Sequence, residues 1–205
     1  MIRITGGEFR GRMLKVPGGG GVRPTQDRVR QALFSSLGGA VEGARVLDLF
    51  AGTGALGLEA MSRGAASARW VEQNGKVFAI LRENVRSICG EDGAKAGCTK
   101  EDVPAFLRRG RGESFDLILA DPPYEWVERG GAAEGLMEAI REGGWLVEGG
   151  VFVLEMGVSR SRGRGGEDKA LVDKSGWDLL KDGVYGDTRL LIYRLGSGRN
   201  EEESS

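Results

Sequence analysis

Apolar residues along this chain gather into short, nearly continuous blocks separated by stretches of helical spacing. The blocks Arg45–Phe50, Ala68–Glu72, Phe115–Ala120 and Val151–Glu155 read as strands. They lack the in–out alternation of a half-wet sheet, so both of their faces are expected to be covered. Between them lie helical stretches: Leu56–Arg63, stopped by Gly64; Gly75–Ser87, with Val77, Ile80, Leu81 and Val85 as its stripe; Asp102–Arg109; and Ala132–Glu142. Strand–helix alternation of this kind predicts an α/β fold, a mostly parallel sheet with helices on both faces. Trp177–Leu180 and Arg189–Arg194 turn at Gly186-Asp187 with no helix between them, which predicts an antiparallel edge. Upstream, Ile2–Thr5 and Arg12–Val16 predict a small hairpin. Thr25 is expected to cap a helix running to Leu37, with Val29, Leu33 and Leu37 on one face and Gly38 as its stop. The chain thus divides into an N-terminal extension (1–40), a main domain (41–196) and a polar, acidic tail (197–205) expected to be disordered.

Composition narrows the chemistry. With 205 residues, 40% of them hydrophobic, the chain can bury a core without disulfide staples. It contains no histidine, which excludes a Ser-His-Asp or Cys-His triad, a histidine general base and any histidine-ligated metal. Cys89 and Cys98 form no CxxC pair, so a reducing compartment with ordinary thiols is the expectation. No apolar run is long enough to span a bilayer, and Met1–Thr5 lacks a signal-peptide core; a cytoplasmic protein is expected. The 36 glycines exceed twice the usual ~7%, and Gly18–Gly21 and Ser159–Asp168 read as flexible loops. Net charge is only −1, yet residues 1–30 hold seven cations against two acids. Six of those cations are arginine, the side chain that grips phosphate bidentately, so Arg10, Arg12, Arg23, Arg28 and Arg30 are candidate contacts to a polyanion.

Two motifs carry the chemistry. Asp48-Leu49-Phe50-Ala51-Gly52-Thr53-Gly54-Ala55-Leu56-Gly57 joins a strand to a helix and contains the G-x-G-x-x-G of nucleotide-binding folds. Glu72 ends the next strand, 20 residues after Gly52, where a carboxylate can hold ribose hydroxyls; Gln73 follows it. A nicotinamide dinucleotide and S-adenosylmethionine both fit this pattern. Asp48 separates them, because a carboxylate beside the loop repels a pyrophosphate and favours a cationic donor. Asp102 is placed to accept a hydrogen bond from an adenine amine. The second motif, Asp121-Pro122-Pro123-Tyr124, follows the strand Phe115–Ala120. Its two prolines remove two N–H donors and fix the backbone. The Asp121 carboxylate and Pro122 carbonyl can then hold one exocyclic amine, while Tyr124 offers a stacking face. This chemistry requires neither histidine nor metal.

These two motifs look like the paired motifs of class I amino methyltransferases. Arg3-Ile4-Thr5-Gly6-Gly7-Glu8-Phe9-Arg10-Gly11-Arg12, Arg23–Arg30, Gly57–Ala65 and Asp116–Asp121 narrow the likeness. The chain resembles the bacterial RsmD-like 16S rRNA guanine-N2 methyltransferases from about residue 3 to 194. That resemblance implies a Rossmann-like, seven-stranded sheet and S-adenosylmethionine as donor. It implies N2 of one guanine (966 type) as acceptor, on an assembled or partly assembled small subunit; a monomer is the separate expectation for the chain. Asp121, Pro122, Pro123 and Tyr124 would hold the guanine. Asp48, Phe50, Ala51, Gly52, Thr53 and Gly54 would meet the methionine part, Glu72 and Gln73 the ribose side, and Asp102 the adenine. Tyr124 stands where the family often has Phe. The motif holds any planar amine, so an adenine amine or a protein glutamine stays open as acceptor. A nicotinamide-dependent oxidoreductase would leave Asp48 and Asp121–Tyr124 idle, and a non-catalytic RNA-binding factor would leave both motifs idle.

Overall fold

A computed structural model of the chain describes residues 2–19, 24–110, 112–127, 130–158 and 176–196. Arg23, part of the Gly18–Gly21 run, the Ser159–Asp168 insert and the 197–205 tail lie outside the described residues. The N-terminal strands β1 (Ile2–Arg3) and β2 (Met13–Leu14) pair antiparallel and are shorter than the sequence predicts. Helix α1 (Pro24–Leu37) follows. It begins at Pro24 with Thr25 already inside, so a proline at the first turn replaces the expected threonine cap.

The main sheet contains β3 (Arg45–Leu49), β4 (Ser67–Val71), β5 (Cys98–Thr99), β6 (Phe115–Ala120), β7 (Leu146–Gly157), β8 (Trp177–Tyr185) and β9 (Thr188–Leu195). Their order is β5-β4-β3-β6-β7-β9-β8. Neighbours from β5 to β7 run parallel, while β9 and β8 run antiparallel at the edge. Connecting helices are α2 (Ala55–Ser62), α3 (Gly75–Gly97), α4 (Val103–Arg108), α5 (Tyr124–Val127) and α6 (Ala132–Glu142). Helix α3 outruns its predicted end and breaks at Gly90, whose φ is 81°.

Side chains alternate across the sheet. Leu47, Leu49, Ile118, Ala120 and Leu154 face a core closed by α4 and α6. Val46, Leu117, Leu119 and Val153 face the other, closed by Leu33, Phe34 and Leu37 of α1 and Ala60 of α2. The extension therefore shares the core of the main domain. A third cluster joins Ile4 and Leu14 of the hairpin to Leu58, Trp70, Leu81 and Val85.

The order reverses at β3, whose neighbours β4 and β6 leave on opposite sides. In such sheets ligands bind at the carboxyl ends beside this switch point. Among the described residues no helix is long and apolar enough to cross a membrane.

Candidate active site

Strand register builds the site. Leu49 lies opposite Val71 on one side and Ala120 on the other, and Ala120 lies opposite Leu154. The residue after each forms the next row: Glu72, Phe50, Asp121 and Glu155. All four line a cavity of about 720 Å³ at the carboxyl edge of the sheet. Gly52, Gln73, Pro122, Pro123 and Tyr124 also line it.

The glycine loop is held from below. Asp48 is 1% exposed, and one of its oxygens accepts a hydrogen bond from the Gly57 N–H at 2.8 Å. Burial pushes its carboxyl well above the usual range. Asp48 thus organises the loop rather than lining the cavity, which corrects the expectation that it meets the ligand. The strand is covered on both faces, so Asp48 has no wet side and bonds the nearest loop amide. Gly57 has a packing reason: a Cβ there would stand 2.2 Å from Trp70 Nε1. Gly54, at φ 84°, opens α2 where a Cβ would strike Leu81 at 2.6 Å.

Glu72 bridges the loop to the next helix. Its carboxylate accepts from Gly52 N at 3.0 Å and Asn74 N at 2.6 Å. Each carboxylate oxygen has two lone-pair sites, so Glu72 keeps acceptor capacity toward the cavity. Ala51, Thr53 and Gly54 serve the loop through their backbones: Ala51 N donates to Val71 O, Gly54 N to Ala51 O, and Thr53 O accepts from Asn84 Nδ2. Asp102 is exposed and caps α4, accepting from Ala105 N at 3.3 Å; its neighbour Val103 reaches the cavity.

Phe50 has φ 57°, and among the described residues it is the non-glycine with positive φ. An aromatic residue in that region is strained, and such strain persists where the surroundings hold a functional group in place. Its ring packs on Trp126 with centroids 4.9 Å apart. Tyr124 is 46% exposed, and its ring crosses Gly157 so closely that a Cβ there would stand 2.9 Å from Cδ2. Pro123 O accepts from Trp126 N at 2.9 Å, fixing the turn after Pro122.

Asp121 opens to the cleft, yet the surrounding protein raises its carboxyl to about 6. Glu155 is pushed up to about 8 by burial and by Asp121 beside it, with Arg30 pulling the other way. In the sequence Glu155 marks only the end of the strand Val151–Glu155. Gln26, Val77, Met156, Gly157 and Thr188 also line the cavity unforeseen, and no sequence signal distinguishes them. Among the described lining residues are three carboxyls, Glu72, Asp121 and Glu155, and no lysine or arginine.

The arginines divide. Arg10 and Arg28 are exposed. Arg12 is exposed as well, stacks on Phe9 at 5.4 Å and donates to Ser87 O at 2.9 Å. Arg30 is 5% exposed, which corrects its assignment to the polyanion surface. It donates to Asp27 at 2.6 Å and to Arg3 O at 2.8 Å, and stands 3.4 Å from Glu59. Glu59, fully buried, also accepts from Thr5 N and Thr5 Oγ1, both at 2.7 Å, and from Arg63 at 2.9 Å. This buried network ties hairpin, α1 and α2 together.

Known proteins resemble this chain in sequence and fold. A family model described as Conserved hypothetical protein 95 matches residues 2–194. Ribosomal RNA small subunit methyltransferase D of Escherichia coli is 34% identical over 94% of this chain and 89% of its own length. The protein of the same name from Haemophilus influenzae is 31% identical over 95% of this chain and 92% of its own. The solved structure of Escherichia coli yhhF superposes with a TM-score of 0.74 at 33% identity, covering 95% of this chain and 98% of that one. With a match that runs through the hairpin, the glycine loop and the Asp121–Tyr124 turn alike, the chain belongs to this RsmD-like family.

Proposed function

We propose that this chain transfers a methyl group from S-adenosylmethionine to the exocyclic N2 amine of one guanine in 16S rRNA. The observation that carries the reading is the lining of the cavity: three carboxyls, aromatic faces and no cation among the described residues. Such a lining suits a ligand bearing sulfonium and ammonium charge and repels the pyrophosphate of a nicotinamide dinucleotide. The relatives' names supply the acceptor class, small-subunit rRNA.

When bound, the donor supplies an electrophilic methyl carbon. Glu72 would hold its ribose and Asp102 its adenine amine, with Phe50 and the Gly52–Gly54 backbone against the methionine part. Asp121 and the Pro122 carbonyl each accept one N–H of the guanine amine, which turns its lone pair toward the methyl. Tyr124 stacks on the base. As the N–C bond forms and the S–C bond breaks, the displaced amine proton passes to Asp121. The catalysis is positioning plus local negative charge, matched to a nitrogen that becomes positive in the transition state. Arg10, Arg12 and Arg28 would grip rRNA phosphates outside the cavity, and the enzyme acts as a cytoplasmic monomer on an assembled or partly assembled subunit.

The test is methyl transfer from radiolabelled donor to small subunits lacking the modification, followed by nucleoside identification. Label in N2-methylguanosine supports the reading. Label only in N6-methyladenosine or protein redirects it to another amine, and a chain that binds nicotinamide dinucleotide but not S-adenosylmethionine overturns it.

A further inference from the structure

Glu155 is a carboxyl in the cavity that the mechanism above does not use. Parallel pairing of Ala120 with Leu154 sets Asp121, just past β6, beside Glu155 of β7, and both line the cavity. Two adjacent carboxylates are costly to keep ionised in a partly desolvated cleft unless the ligand brings donors to both. We infer that Glu155 accepts a hydrogen bond from the ring N1–H of the target guanine while Asp121 holds the neighbouring N2 amine; the inference rests on the guanine reading above.

Base edges differ in a way this pair can detect. Guanine presents two adjacent donors, N1–H and N2–H. Adenine presents its amine beside N1, a bare lone pair that Glu155 repels when ionised, as it is above about pH 8 where the experiment below is run. A site built for a donor rejects an analogue that lacks it far more strongly than a hydrophobic pocket rejects a missing methylene. The titration of Glu155 agrees: burial and the Asp121 carboxylate raise it, and two facing N–H donors relieve that repulsion. Arg30 acts on Glu155 from α1, and β9 brings Thr188 to the same wall. Glu155 is thereby assigned to acceptor choice, a role distinct from donor binding.

The experiment uses small subunits reconstituted with 16S rRNA carrying either guanine or 2-aminopurine at the modified position. 2-Aminopurine keeps the amine but replaces N1–H with a lone pair. The wild-type enzyme is expected to favour guanine in kcat/KM by roughly 100-fold. Glu155→Gln is expected to lower kcat/KM on guanine by about 10-fold and to shrink the preference to within a few-fold, because an amide can either accept or donate. Affinity for S-adenosylmethionine stays within about 2-fold, which a merely structural loss would not allow. An unchanged preference in the variant overturns the inference. So does wild-type enzyme that methylates 2-aminopurine as well as guanine, a result that needs no variant to fold. If wild-type enzyme yields no N2-methylguanosine from guanine subunits, the guanine reading itself has failed, and the assay separates that case before any variant is made.

Discussion

Arg30→Met asks whether the basic N-terminal segment is a binding surface or part of the scaffold. The side chain of Arg30 is 6% exposed, against 9% for Asp27 and 0% for Glu59. Removing one partner of a buried ion pair commonly costs about 3–5 kcal/mol, because a charge is left without compensation. Here neither carboxylate is stranded: Asp27 keeps Arg3 at 3.4 Å, and Glu59 keeps Arg63 and both Thr5 donors. The part-buried Arg3 carbonyl loses its donor, and methionine restores part of the volume. The expected cost is therefore about 2–3 kcal/mol. For a domain of this size that lowers Tm by roughly 5–10 °C. Arg28→Ala, two residues away but exposed, should stay within about 0.5 kcal/mol of wild type. In filter binding to small subunits across a salt series, Arg28→Ala should reduce the slope of log K against log salt by about 1, whereas Arg30→Met should leave the slope alone. Calorimetric melts and the salt series together decide the matter. A variant Arg30→Met with wild-type Tm and a reduced salt slope would refute the reasoning, returning Arg30 to the RNA face.

Asp121→Ala should abolish methyl transfer while leaving S-adenosylmethionine affinity within a few-fold by calorimetric titration; strong loss of donor binding would contradict its role in holding the acceptor amine. Gly57→Ala should destabilise the protein by about 1–3 kcal/mol, because its Cβ would stand 2.2 Å from the indole of buried Trp70, and should weaken donor binding as the loop shifts. Equilibrium denaturation with wild-type stability would show that the helix backs away freely. As pH falls, kcat/KM should drop when the Asp121–Glu155 pair takes up protons, near about 8 and about 6. Protonation turns one oxygen of each carboxyl into a donor and removes its charge, weakening its hold on an N–H, so the loss lies on the acid side, and a bound sulfonium shifts it to lower pH. Glu155→Gln should retain only the lower step; a profile flat from about pH 5 to about 8.5 would sink this account.

The strands around the site were legible because apolar blocks bounded by glycine leave few other readings. β5, only two residues long, carries no block and escaped notice. The motif residues Phe50, Gly52, Glu72, Gln73 and Asp121–Tyr124 come together in one cavity, as their places at strand ends imply. Glu155 was hidden because it closes an apolar run, where an acid reads as the start of a loop. Glu72 occupies the same kind of position and was noticed only through its distance from the glycine loop. Arg30 was misread from charge counting, although helical spacing held the warning: Arg30, Leu33, Phe34 and Leu37 follow the i, i+3, i+4, i+7 pattern of one face, and all four are buried. A basic residue on an apolar stripe points to an internal partner, and Asp27, three residues earlier, is that partner.

One helix connects the two halves of the problem. α1 presents Arg28 to solvent, places Gln26 at the cavity wall, and buries Arg30 where its charge acts on Glu155. The same Arg30 holds the Arg3 carbonyl of the hairpin, while Glu59 clasps Thr5 through two short bonds. The arm that would meet rRNA is thus fastened to α2 and the acceptor side of the cavity by buried, charge-assisted bonds rather than by a flexible linker. Catalysis by positioning requires this stiffness, since a base held about 1 Å out of place forfeits much of the rate. A chain without histidine, whose proposed reaction would rely on aiming an amine at a methyl carbon, gains more from a rigid arm than from a stronger base.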